Sequence, residues 1–172
     1  MRIYRSKIPI ISDEIVVTLV KDDDIEVERE QWAEVSLDIQ AILSEYLRRE
    51  DEVNEEAKDL LESRGLPYSQ YGKMRRAVCK QKQHRSGDDG MEWILDQVLE
   101  SFMVNNHVQE VYAENHEMRR KMVEIFKKHL VTDEQLDQEV RERLKHVEEG
   151  TASWEVEYRK ALREIKRKHG IA

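Results

Sequence analysis

Cysteine occurs once, at Cys79, and proline twice, at Pro9 and Pro67, in 172 residues. A single thiol excludes an intrachain disulfide and a multi-cysteine metal centre, and it fits a reducing cytoplasm. Six glycines and two prolines are too few turn-formers for a many-stranded sheet protein. No apolar run approaches the roughly 18 residues that would cross a bilayer. The best stretch, Ile8 to Val20, is interrupted by Pro9, Ser12, Asp13 and Glu14. The opening Met1-Arg2-Ile3-Tyr4-Arg5 lacks the apolar centre of a secretory signal. Glycine-rich phosphate loops, dinucleotide fingerprints and hydrolytic triads are missing; Gly87 and Gly90 flank only acids. Net charge is −8, so nothing global draws the chain to nucleic acid or an anionic membrane. The expectation is a cytoplasmic protein without membrane contact and without cofactors.

What remains is charge and apolar spacing. Charged residues make up 38% and apolar residues 39%, a balance that suits long solvated helices. From Glu28 to Arg64 neither glycine nor proline intervenes, and Trp32, Ile39, Tyr46, Val53 and Leu60 recur every seven residues. With Val35 and Ile42 they form one apolar seam. At about 1.5 Å per residue this helix is roughly 50 Å long and needs a partner helix over most of its length. Gly65 and Pro67 stop it.

Ahead of it, Ile8, Ile11, Ile15 and Leu19 share a helical face to about Lys21, with Ser12 as a candidate cap. Ile25-Glu26-Val27 suits a few extended residues. After Pro67, Ser69 is a candidate cap for a short helix to about Gln83, with Tyr71, Met74 and Val78 on one side. His84 to Gly90 reads as a linker. The order then begins again: a helix marked by Ile94, Val98 and Phe102, an extended piece at Val108 to Tyr112, and a long amphipathic segment. That segment carries Met118, Met122, Ile125, Phe126, Leu130, Leu136, Val140, Leu144 and Val147, and Thr132 with Gln135 matches a capping box that would break it. Gly150 ends it, and Thr151 can cap a last helix with Trp154, Tyr158, Ala161 and Ile165.

The halves align at an offset of 83 residues, as from Glu34 to Glu117, Ile42 to Ile125, Leu47 to Leu130 and Leu61 to Leu144. The fold expected is therefore all-α: a tandem duplication of a short helix, a long helix and a basic helix, packed as an elongated bundle or paired coiled coil. Residues 1–86 form the first repeat and 87–172 the second, packed as one domain with pseudo-twofold symmetry.

The run LDQEVRERL at 136–144, followed by GTASWEVEYRK at 150–160, resembles the C-terminal signature of the bacterial domain-of-unknown-function 507 family. SKIPIISDEIV at 6–16 resembles that family's first helix. The resemblance spans essentially the whole chain and implies a helical bacterial protein in a two-copy form. It implies no reaction, ligand or catalytic residue. The first copy departs from the signature, with GLPYSQY at 65–71 where the second has WEVEY at 154–158.

Of the chemical constellations, a metal centre in a helical bundle needs Glu-x-x-His on two helices with further inward glutamates. Glu114 and His116 have the wrong spacing. His107 with Glu110 and Glu142 with His146 are lone pairs, and at the repeat offset His116 falls on Ala33 and His129 on Tyr46. These histidines read as solvated or capping groups. Cys79 lies in a basic field but alone. Trp32, Trp93 and Trp154 stand near helix starts and read as packing anchors; Met118 and Met122 read as core.

The basic segments are the better lead. Tyr71 to Gly87 carries Lys73, Arg75, Arg76, Lys80, Lys82 and Arg85 ahead of any acid, and the last helix carries Arg159, Lys160, Arg163, Lys166, Arg167 and Lys168. Such helices can fold back on acidic ones, bind a partner's acidic surface, or hold RNA phosphates. Nearby aromatics (Tyr68, Tyr71, Trp154, Tyr158) can stack on bases, although their spacing suits core anchors. The function expected is a non-enzymatic helical protein–protein interaction module, an adaptor or assembly factor. The alternative is an RNA- or ribosome-associated factor, and a metal-binding bundle enzyme comes third. The partner surface expected is Lys73, Arg75, Arg76, Lys80, Lys82, Arg159, Lys160, Arg163, Lys166 and Arg167; a homodimer stays open.

Overall fold

A computed structural model describes residues 3–130 and 133–169. The fold is all-α. In chain order it comprises α1 (Ile8–Lys21), β1 (Ile25–Glu26), α2 (Trp32–Ser63), α3 (Tyr71–Lys82), α4 (Asp88–Val104), β2 (Glu110–Val111), α5 (Asn115–His129), α6 (Asp133–Arg143) and α7 (Ala152–Lys168). Short 3-10 turns precede α1, α2 and α3. Among the described residues no helix is long and apolar enough to cross a membrane.

The main core is built by α1, the first half of α2, α4 and α5. Ile11, Ile15 and Leu19 of α1 meet Val35, Ile39 and Leu43 of α2, Ile94, Leu95 and Val98 of α4, and Met118, Met122 and Phe126 of α5. Each fully buried side chain of this size contributes about 1.5–3 kcal/mol relative to exposure. Asp24, just ahead of β1, is buried and held by Lys121 Nζ at 2.6 Å. The two extended pieces pair antiparallel, Ile25 opposite Val111 and Glu26 opposite Glu110. They mark one pole of the core, where α1 and α4 end and α2 and α5 begin.

At the opposite pole α1 and α4 start, α5 ends, and α2 continues beyond. Two helical hairpins leave from here, each with a core of its own. Val53, Ala57 and Leu61 in the far half of α2 pack on Met74 and Val78 of α3. Leu136 and Val140 of α6, with Leu144 just after it, pack on Ala161 and Ile165 of α7, together with Tyr4.

Several details differ from the sequence reading. Within the heptad seam Val35, Ile39, Tyr46 and Val53 are buried, whereas Trp32, Ile42 and Leu60 are half-buried and Leu43, Ala57 and Leu61 take the remaining inward positions. The reason is that α2 changes partners along its length, from α1 and α4 to α3, so its buried stripe widens. Ser12 is not a cap; it is a buried mid-helix residue, and α1 starts before it with Pro9 in its first turn. Ser69 lies in the 3-10 turn before α3, which has no side-chain cap. The linker is shorter than expected, because α4 begins at Asp88 and includes Gly90. The second long segment is two helices: α5 ends at His129 with Leu130 extended, and α6 begins at Asp133. The candidate capping residue Thr132 lies outside the described residues. Thr151 does cap α7, its hydroxyl accepting from the Trp154 amide at 3.2 Å.

Candidate functional site

Where α2 leaves the main core, its inward face turns polar at Glu50. This carboxylate, 19% exposed, accepts from Arg75 Nη2 at 2.5 Å and Ser86 Oγ at 2.6 Å. His84 Nε2 lies 2.8 Å away, and the Tyr46 hydroxyl donates at 3.2 Å. One helical turn on, Asn54 Oδ1 accepts from Arg75 Nε at 2.8 Å and the Tyr71 hydroxyl at 3.1 Å. Burial works to raise the Glu50 pKa, but the bonds from Ser86 and His84 and the charge of Arg75 outweigh it and hold the carboxyl below its ordinary value. Burial, then the Glu50 charge, push the Tyr46 phenol up. This hub ties α2, α3 and the 84–86 loop into one unit.

Gly90 brings α4 against the same unit. A Cβ there would stand 2.8 Å from Tyr46 Cζ and 2.9 Å from the Arg85 carbonyl oxygen, so the contact requires glycine. Trp93, one turn later, stacks on Tyr46 with ring centroids 6.0 Å apart.

Between the hairpins lies an open cleft of about 1150 Å³. Its floor is the end of the main core: Leu47 of α2, Met91 and Ile94 of α4, Val123 and Phe126 of α5, and Leu130 just after it. The α2–α3 hairpin supplies one wall with Glu50, Asn54, Lys58, Tyr68, Tyr71 and Arg75. Ile3, Tyr4, Arg5 and Lys166 of α7 stand on the other. Arg5 reaches across to Asp51 of α2 at 2.6 Å, with both groups exposed. The floor is apolar and the rim is strongly charged, with Arg5, Glu50, Asp51, Lys58, Arg75, Asp88, Glu92, Lys127 and Lys166 around it.

A model of the family described as Protein of unknown function (DUF507) matches residues 1–171. The chain belongs to that family. No curated protein matches it. In this DUF507 member the ten basic positions singled out from sequence are not equally exposed. Arg75 is turned inward onto Glu50, Asn54 and Ser86. Lys82 pairs with Glu56 at 2.8 Å. Lys73, Arg76 and Lys80 on α3, and Arg159, Lys160, Arg163 and Arg167 on α7, are exposed and have no ion partner among the described residues. Lys166 is half-buried and faces the cleft.

The aromatics divide similarly. Trp154 packs on Tyr158 at 4.9 Å, and Tyr158 donates to Asp137 at 2.5 Å. Tyr68, by contrast, is 75% exposed, stacked on Tyr71 at 5.4 Å, and is no core anchor. Trp32 donates to the Val27 carbonyl at 3.0 Å and Trp93 packs between Tyr46 and Arg49, so both serve as anchors. Cys79 is half-buried with Sγ 3.8 Å from Ser86 Oγ. Among the described residues no three His, Cys, Asp or Glu converge as a metal-ligand set. The sequence reading missed the cleft and its hub. The available signal was Glu50 itself, a carboxylate one turn from Tyr46 and one from Val53 on the buried stripe.

Proposed function

We propose that the protein is a cytoplasmic, non-enzymatic protein–protein interaction module that receives a helical segment of a partner in the cleft between its hairpins. The observation that carries this reading is the cleft's size and lining. About 1150 Å³ over an apolar floor exceeds most small-molecule pockets and matches roughly ten residues of an α-helix about 10–12 Å across. Helix-in-groove recognition needs such a floor, with charged groups at the edges to set orientation. The duplication belongs to the same proposal. The order of helix, short strand and then helices ending in a hairpin, with α5 and α6 together in the place of α2, supports two copies of one unit, as does the antiparallel pairing of β1 with β2. On that arrangement the cleft forms because the two terminal hairpins diverge.

The test is a photo-crosslinking residue placed in cells at Leu47 on the cleft floor or at Leu37, 52% exposed and outside the cleft. Protein adducts specific to Leu47, mapping to a helical segment of the partner, support the reading. Equal adducts at both sites oppose it.

RNA association is the second reading, favoured by the strips Lys73-Arg76-Lys80 and Arg159-Lys160-Arg163-Arg167, which have no ion partner among the described residues, in a chain of net charge −8. It predicts nuclease-sensitive recovery and a steep loss of affinity between 50 and 200 mM salt.

A further inference from the structure

Resting on the cleft reading, we propose that the segment it receives is an acidic amphipathic helix. The charges on the walls carry this. Nearly every carboxylate of the cleft is already committed: Glu50 to Arg75 at 2.5 Å, Asp51 to Arg5 at 2.6 Å, and Glu92 to Arg119 at 2.9 Å. Asp88 sits in the first turn of α4, where the helix dipole favours a negative group. Two cations are uncommitted. Lys58 on the α2 wall and Lys166 on the α7 wall both line the cleft, and neither has an ion partner among the described residues. In a chain of net charge −8 this is a local reversal of sign.

An occupant with apolar residues against Leu47, Met91 and Val123 and carboxylates toward Lys58 and Lys166 satisfies both the floor and the walls. A nucleic-acid strand does not, because it carries a phosphate on every nucleotide and has no apolar face to lay on Leu47, Met91 and Val123. The Arg5–Asp51 pair, exposed on both sides, spans from wall to wall. An incoming carboxylate can take Arg5 from Asp51 at little cost, since an exposed pair is worth little.

A display library of helical peptides about 14 residues long, selected on the full chain, tests the proposal. Enriched sequences are expected to carry apolar residues at i, i+4 and i+7 flanked by Asp or Glu. Their affinity should fall about tenfold in the double variant Lys58→Glu/Lys166→Glu, as two attractive contacts at the edge become repulsive. The same variant should select Lys- or Arg-flanked peptides instead, with its melting temperature unchanged. Asp51→Asn should tighten acidic peptides severalfold by freeing Arg5.

Binders that are neutral or basic, or indifferent to the double variant, overturn the acidic assignment. If those binders are still lost in Leu47→Glu, the cleft reading survives. No enrichment at all, or binders unaffected by Leu47→Glu, overturns both. Displacement of the peptides by a single-stranded oligonucleotide, or a dimer dispersed by Leu47→Glu, also counts against a foreign acidic helix.

Discussion

The two hairpins that flank the cleft are alike in plan and unlike in attachment. The α2–α3 hairpin stands on a helix that runs unbroken from the main core, and the Glu50 hub bonds it to the loop that launches α4. The α6–α7 hairpin follows a backbone that leaves helical geometry at Leu130. It meets the rest through Tyr4 in its core and through Ser6, whose hydroxyl donates to the His169 carbonyl at 2.8 Å. Polar contacts such as Tyr158–Asp137, Arg143–Glu164 and His169–Glu139 link the two arms of this hairpin to each other. The cleft therefore has one wall continuous with its floor and one wall docked onto it. A groove built this way can fix the register of an occupant on the first wall and adapt its width with the second.

The largest effect expected comes from removing the hub. Glu50→Ala leaves Arg75 and His84 partly buried without their acceptor. It should cost about 2–3 kcal/mol, the upper range for a fully buried pair being reduced because Glu50 and Arg75 stay 19% and 27% exposed. Glu139→Ala in the other hairpin breaks a pair 40% exposed on the carboxylate side and should cost under about 1 kcal/mol. Denaturant unfolding of both variants checks the contrast; equal losses would break it. Next come the small cores. Val53→Ala and Val140→Ala each remove about two methyl groups from a fully buried site, near 2 kcal/mol apiece. The first should loosen the molecule as a whole, because α2 spans both cores. The second should raise amide exchange in α6 and α7 while leaving α1 to α5 protected. Exchange that rises everywhere in both variants would mean that the hairpins are equally integrated.

The asymmetry was only partly legible in the sequence. Apolar spacing located the helices and both extended pieces, since Val35, Ile39, Met118 and Met122 obey a period that local geometry alone imposes. The break after α5 was marked by a capping pattern. The hub was not legible, because Glu50 meets Arg75, His84 and Ser86 from 25, 34 and 36 residues away. Nothing in the spacing of a basic helix distinguishes the arginine that turns inward from Arg76 beside it. In the sequence Gly90 looks like a loop residue for a related reason: its role depends on Tyr46 across a helix interface. The cleft is further removed still, arising where three cores fail to merge.

Acid sharpens the contrast at smaller cost. Because the Glu50 carboxyl is held below its ordinary value of 4.5, its stabilising contribution is complete above that pH and is lost as pH falls through the folded value. Unfolding midpoints measured from pH 6 downward should therefore begin to fall below about pH 4.5, at no more than about 1.4 kcal/mol per pH unit for one group. Glu50→Gln should flatten that dependence. Asp137 is also depressed, first by the Tyr158 hydroxyl and then by Arg141, but it lies at the surface, so Asp137→Asn should leave the slope nearly unchanged.

The smallest effects expected are those of the outer ion pairs. Lys82–Glu56 joins α3 to α2 at 2.8 Å, and Arg143–Glu164 joins α6 to α7 at 2.6 Å. All four groups are more than a third exposed, so water and salt screen them and holding their long side chains costs entropy. Lys82→Ala and Arg143→Ala should both unfold at the wild-type midpoint within error, at low and at high salt. A clear drop for Lys82→Ala alone would mean that the α2–α3 wall is held from outside by surface charge. The Glu50 hub would then be a consequence of its rigidity instead of the cause.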